Sequence, residues 1–343
     1  MKRINFHELK ASEKEDIFTE VAAQKGIPPF AVEKDWWVVQ TLAMIFQTSA
    51  ATHLVFKGGT SLSKSWSLIQ RFSEDIDLAI DRKFLGFDGE LSKNQRTQLR
   101  KVANKYTSEQ FFIELQSIFT DNGYQELEFK LVETRESDQD PRLIEVYYPN
   151  VTKSDGYIQP RIQIEIGCRS LIEPYTTRPI TSFVDEIFGD KKFAGFPIEI
   201  PSVNPERTFL EKLFLLHEEF HKPINKVRVN RLSRHLYDVF QLANSAYISA
   251  IEDRKLYNTI IQHRYQFTKV SGIDYNLLAP NTLNFIPINE VTEGWEKDYK
   301  KMREEMIYQE NAPTFDEILE RLYILKKQIN TQEWKLDKQY PKP

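Results

Sequence analysis

The run His53-Leu54-Val55-Phe56-Lys57-Gly58-Gly59-Thr60-Ser61-Leu62-Ser63-Lys64, followed eleven residues after Lys64 by Asp75-Ile76-Asp77, constrains this chain more than any other segment. His53 to Phe56 is a short apolar run with strand character, and Gly58-Gly59 lets the backbone turn sharply with no side chain in the way. Leu62, Trp66 and Ile69 then recur at helical spacing, which predicts a helix after the turn. Backbone N–H groups at such a turn seat an anionic triphosphate, and Lys57, Thr60 and Ser61 add polar groups to the same loop.

The second element is a strand in which Asp75, Asp77 and Ala79 share one face and Ile76, Leu78 and Ile80 the other, because strand side chains alternate with period two. Two carboxylates on one face repel each other. A hard divalent cation such as Mg2+, or Mn2+, relieves that repulsion through oxygen ligands. A strand-borne D-x-D alone also describes a solvated polar face, and a glycine pair alone describes an ordinary turn. Their combination in one strand, loop, helix and strand unit is something packing does not require, and it points to transfer chemistry on a nucleoside triphosphate (NTP). A two-metal site for such chemistry needs a further acid. Glu165 is the candidate, because Arg161, Gln163 and Glu165 alternate with three isoleucines, and an antiparallel neighbour would set Glu165 beside the aspartates. An exposed strand glutamate fits the same pattern.

The chain has 343 residues, of which 41% are apolar and 28% charged, enough to bury a sizeable core and to divide in two. A single cysteine, Cys168, excludes an internal disulfide and suits a reducing, cytoplasmic setting. The first 25 residues are strongly charged, unlike a signal peptide, and no apolar run reaches membrane-spanning length. The net charge of -4 gives no global attraction to nucleic acid. Locally, Lys93, Arg96, Arg100, Lys101 and Lys105 mark one helix, and Lys222, Lys226, Arg228, Arg231 and Arg234 cluster before another. Each group suits RNA phosphates or a solvated helix face.

Along the chain, Ser12 with Glu15 reads as a capping box opening a helix that Gly26 ends, and a second helix is predicted from Pro29 to about Phe46. A long polar helix near 92–120 and strands near 126–133, 143–149 and 158–168 follow. The segment from Glu173 to Ile200, rich in proline and aromatics, reads as a bridge. Beyond it helical periodicity dominates. Asn204-Pro205 starts one helix and Thr314 with Glu317 another. His217 and His235 lack metal-ligand spacing and suit packed or hydrogen-bonded roles.

Lys57-Gly58-Gly59-Thr60 and Arg71-Phe72-Ser73-Glu74-Asp75-Ile76-Asp77-Leu78 resemble the first two motifs of the AbiEii toxin family of nucleotidyltransferases, found in type IV toxin–antitoxin and phage-defence (abortive infection) modules. Val32-Glu33-Lys34-Asp35-Trp36-Trp37 resembles the family's N-terminal helix signature. Pro205-Glu206-Arg207-Thr208-Phe209-Leu210-Glu211-Lys212-Leu213 and Arg234-His235-Leu236-Tyr237-Asp238-Val239 resemble its third and fourth motifs.

The resemblance implies an α+β fold: a polymerase-beta-like nucleotidyltransferase domain with a small mixed sheet, spanning 1–200, then a helical domain over 201–343. It implies that Gly58, Gly59, Thr60 and Ser61 hold the NTP, that Asp75 and Asp77 are metal-binding acids, and that Lys212 and Asp238 act in catalysis. An RNA acceptor such as the tRNA 3′ end, growth arrest, and an antitoxin that need not form a stable complex are further implications. Read from the residues alone, Lys212 suits a triphosphate or a glutamate on its own helix, and Asp238 suits a surface ion pair with Arg234.

Overall fold

Seven strands form one mixed sheet in the order β3-β4-β5-β2-β1-β7-β6 in the computed structural model, which describes residues 4–73, 75–134, 136–153 and 159–343. They are β1 (Leu54–Lys57), β2 (Asp75–Ile80), β3 (Glu128–Leu131), β4 (Arg142–Tyr147), β5 (Arg161–Gly167), β6 (Tyr175–Ile180) and β7 (Ile198–Val203). β1 and β2 run antiparallel with Lys57 opposite Asp77, whereas β2 and β5 run parallel with Asp77 opposite Glu165. Glu165 was expected on an antiparallel neighbour. The parallel pairing reaches the same adjacency, because directly paired residues point to the same face of a sheet whichever way the strands run.

Helices α1 (Ala11–Lys25), α2 (Pro29–Ile45), α3 (Gly58–Lys64), α4 (Lys93–Tyr106), α5 (Phe112–Asp121) and α6 (Phe183–Phe188) belong with this sheet. α1 begins two residues earlier than its expected box, with the Lys10 N–H donating to Glu13 Oε2 at 2.9 Å, so Ser12 lies inside the helix. It ends as expected at Gly26, whose φ of +66° is the left-handed cap that glycine adopts without strain. α2 is the buried hub. Trp36 and Trp37 pack within 4.8 Å of each other, with Phe6 against Trp36 and Tyr148 stacked on Trp37.

α3 is shorter than its periodicity suggests. It stops at Lys64, and Trp66 instead donates its indole N–H to the Val203 carbonyl at 3.0 Å. The polar helix near 92–120 is two helices joined by a π turn, Thr107–Phe111. The expected bridge from Glu173 to Ile200 holds β6, α6 and the start of β7. Pro179 sits on β6 at the sheet edge, the position in a sheet that tolerates a missing N–H, so a proline-rich segment still forms a strand.

The chain forms two compact units, Met1–Trp66 with Phe72–Val203, and Ser67–Arg71 with Asn204–Pro343. The second is helical, comprising α7 (Pro205–Phe220), α8 (Arg234–Leu242), α9 (Tyr247–Glu252), α10 (Arg254–Phe267), α11 (Asn289–Met306) and α12 (Phe315–Asn330). Phe209, Leu210, Leu213, Phe214 and Leu216 of α7 supply its core, with Trp295 of α11 and Ile318 and Leu322 of α12. Thr314 and Glu317 form the expected box at the start of α12. The short segment Ser67–Arg71 joins this unit although the sheet surrounds it in sequence. Among the described residues no helix is long and apolar enough to cross a membrane.

Candidate active site

The Gly-Gly loop and the aspartate strand meet directly. Gly58 has φ +80°, and a Cβ built on it would fall 2.0 Å from Asp77 Oδ2 and 2.9 Å from Asp77 Cγ. Glycine is therefore required there twice, for its backbone angle and for the space its missing side chain leaves to a carboxylate. The Thr60 hydroxyl donates to the Asp75 carbonyl at 2.5 Å, tying the first turn of α3 to the start of β2. Thr60 and Ser61 are both 2% exposed, and the Ser61 hydroxyl has no hydrogen-bond partner among the described residues.

Asp75, Asp77 and Glu165 share one face of two paired strands. Asp75 faces Gln163 and Asp77 faces Glu165 across the β2–β5 pairing, and the Gln163 amide donates to Glu165 Oε1 at 2.9 Å. Burial raises the Glu165 carboxyl above its ordinary range, and the negative charges of Asp77 and Asp75 push it further the same way. Among the described residues no three His, Cys, Asp or Glu side chains already stand close enough together to hold a metal ion. The donor set nonetheless fits one: it is all oxygen, and the repulsion that raises Glu165 is what a hard divalent cation offsets. Lys57, at the end of β1 opposite Asp77, contributes positive charge toward Glu165.

A raised carboxyl has a consequence for the metal-free protein. Ionised Glu165 opposes folding above its folded-state pKa, and this penalty is absent below the unfolded value of about 4.3, where both states are protonated. Glu165→Gln is therefore expected to melt above the wild type in EDTA at pH 8, with the difference closing at pH 4. A thermal melt at both values tests this, and a lower melting temperature for the variant at pH 8 contradicts it.

In the helical unit, Asp238 accepts from Arg71 Nε at 2.7 Å and Arg71 Nη2 at 2.8 Å, and from Lys212 Nζ at 2.7 Å. Asp238 is 0% exposed and Lys212 7%, so neither the expected helix-surface pair with Arg234 nor a glutamate on α7 describes them. Burial alone raises the Asp238 carboxyl, but the charges of Arg71 and Lys212 more than offset it and hold the group below the usual carboxylate range. Burial lowers the Lys212 ammonium, with Asp238 opposing. His235 lies 3.4 Å from Lys212 Nζ through Nδ1, and burial and then Lys212 hold its pKa well down, so a neutral imidazole accepts there. His217 stacks on His221 at 3.8 Å between ring centres and accepts from the Asn284 N–H.

Sequence reasoning missed Arg71. It stood inside the second motif without a role, and its carboxylate partner lies 167 positions away. Two of the basic residues expected to suit RNA, Lys222 and Arg228, are paired with buried Glu219 at 2.7 Å each. Arg100 likewise pairs with Asp138 and Lys105 with Glu109, while Lys93 and Lys101 are exposed on α4.

A family model described as nucleotidyl transferase AbiEii toxin, type IV toxin–antitoxin system, matches residues 40–321. No curated protein matches the chain. Among solved structures it is similar to MenT4, a nucleotidyltransferase toxin from Mycobacterium tuberculosis H37Rv, at 18% identity and a TM-score of 0.44, over 92% of this chain and 98% of that one. A candidate nucleotidyltransferase from H. pylori is similar at 13% identity and a TM-score of 0.40, over 85% and 92% of the two chains. The match across most of the sequence, spanning the glycine loop, the paired acids and the helices that carry Lys212 and Asp238, means that the chain belongs to the AbiEii family of type IV toxin–antitoxin nucleotidyltransferases.

Proposed function

We propose that this nucleotidyltransferase moves a nucleoside monophosphate from an NTP to a hydroxyl of RNA, with the 3′ end of tRNA as the acceptor, and thereby arrests growth. The observation that supports the reading best is the seating of Gly58 against the Asp77 carboxylate, a close approach between the glycine loop and one of the paired acids. The acceptor oxygen attacks the α-phosphorus, the bond from that phosphorus to the bridging oxygen breaks, and pyrophosphate departs. Backbone N–H groups at Gly58 and Gly59, with Lys57, hold the β- and γ-phosphates. Thr60, through its bond to the Asp75 carbonyl, keeps loop and acids in register, and Ser61 offers a free hydroxyl beside it.

Asp75, Asp77 and Glu165 would hold Mg2+ or Mn2+, which when bound neutralises the triphosphate and makes the acceptor hydroxyl easier to ionise. Lys212 enters the reading as a source of positive charge for an anionic substrate, and buried Asp238 as the group that orients Lys212 and Arg71. The family's setting adds an antitoxin, which in this reading relieves arrest without forming a stable complex.

The test is incubation of purified protein with each α-labelled NTP and total RNA, followed by separation of RNA, protein and small molecules. Label is expected in RNA, lost with EDTA and restored by Mg2+ or Mn2+. Label in protein or a small molecule instead moves the acceptor to those classes. NTP binding with no transfer to any fraction indicates a nucleotide-dependent switch, and restoration by Zn2+ alone contradicts the oxygen-ligand site.

A further inference from the structure

Glu33, Lys34 and Asp35 are consecutive charged residues on α2, yet they are only 2%, 1% and 5% exposed. Consecutive helical residues fan out by roughly 100°, so the three side chains reach three different neighbours. Glu33 accepts from the N–H groups of Val151 at 2.8 Å and Thr152 at 2.9 Å, and from the Thr152 hydroxyl. Lys34 donates to the Gln159 carbonyl at 3.1 Å. Val151 and Thr152 follow the end of β4, which pairs with β5, and Gln159 stands two residues before β5, the strand of Glu165.

Asp35 points elsewhere. One oxygen pairs with Lys64 Nζ at 2.7 Å, and the other accepts from the Phe183 N–H at 2.7 Å. Lys64 is the last residue of α3, the helix that begins at Gly58, and its ammonium also lies 4.2 Å from the Phe183 ring centre. One turn of α2 thus grips both the glycine-loop helix and the approach to the third acid.

We propose that Glu33, Lys34 and Asp35 are positioning residues for transfer: Asp35, through Lys64, sets the pitch of α3 and so the triphosphate loop, while Glu33 and Lys34 set the register of β5 and so Glu165. Buried ion pairs add little net stability over apolar packing of the same volume, but a charge out of water has to meet its partner, so they determine geometry. An apolar turn at 33–35 would bury as well without selecting where α3 and β5 lie. The proposal rests on the nucleotidyl-transfer reading for its kinetic consequence only.

Its test combines hydrogen–deuterium exchange on the full chain with transfer kinetics. Asp35→Asn alone strands the Lys64 charge, so the informative variant is Asp35→Asn with Lys64→Gln, in which no buried charge loses its partner. We expect exchange over residues 58–64 to rise about tenfold with little change over 161–167, and KM for NTP to rise about tenfold with kcat within about twofold. Glu33→Gln is expected to do the reverse, with faster exchange over 161–167, kcat lowered about tenfold and KM nearly unchanged. Equal loosening of both segments in both variants, or no change in either, overturns the proposal. If the wild type transfers no nucleotide, the functional reading fails on its own, and the segment-specific exchange still decides whether the turn positions α3 and β5.

Discussion

Asp77→Asn is expected to lower nucleotidyl transfer by about two to three orders of magnitude, the usual cost of removing one charge-stabilising group from a transfer site. Asp77 is only part-buried, and asparagine keeps its shape, so the melting temperature should move little. The variant loses the charge that Gly58 backs onto and that Glu165 faces. Gly58→Ala should match it by another route. Its φ of +80° costs an L-residue roughly 1–2 kcal/mol, and the new methyl carbon collides with the Asp77 carboxylate at 2.0 Å, forcing that side chain away. Rates from α-labelled NTP incorporation test both variants, and wild-type turnover by Asp77→Asn would remove the acids from the mechanism. In a bacterial host, induced wild type should stop growth while Asp77→Asn at matched protein level does not. Equal growth of the two cultures counts against growth arrest by transfer.

The second large effect is on stability. Asp238→Leu removes the carboxylate that pairs with both Arg71 and Lys212 and leaves the two buried cations without it, a change that costs about 3–5 kcal/mol in comparable sites. For a unit of this size that is a fall in melting temperature on the order of 10 °C. Asp238 is completely buried, so the cost of this change falls on the fold itself.

The pH dependence has a definite sign. Because the Asp238 carboxyl is held below its unfolded value of about 3.9, its contribution is complete above that pH and is lost as pH falls toward the lower folded-state pKa. The gap in melting temperature between wild type and variant should therefore be full at pH 7 and narrow below about pH 4. A variant that melts with the wild type at pH 7 contradicts the buried cluster. Lys212→Ala separates structure from catalysis: unchanged rates at both low and saturating NTP would leave Lys212 a purely structural partner of Asp238.

What was legible from sequence was local. The strand alternation of Asp75 and Asp77, the turn at Gly58-Gly59, the glycine stop at Gly26 and the Thr314 box each involve residues a few positions apart, where backbone geometry alone decides the outcome. The family motifs likewise marked which residues belong together without saying how they touch. Glu165 was legible as a strand residue facing away from the isoleucines, but its neighbour's direction was not, since alternation is the same in parallel and antiparallel sheets.

Tertiary structure decided the rest, for one physical reason: a charged residue in sequence carries no mark of whether water or a partner will surround it. Glu33, Lys34 and Asp35 read as polar yet are buried, because the segment before β5 and the end of α3 supply their partners. Arg71 and Asp238 look like separate surface charges until the helical unit brings them within 2.7 Å. Even the segment from Glu173 to Ile200 became sheet because β7 found the open edge of β1, a pairing that depends on residues more than a hundred positions upstream. Local propensity determined where the loop and the acids would form; only long-range desolvation and pairing determined which charges hold them in place.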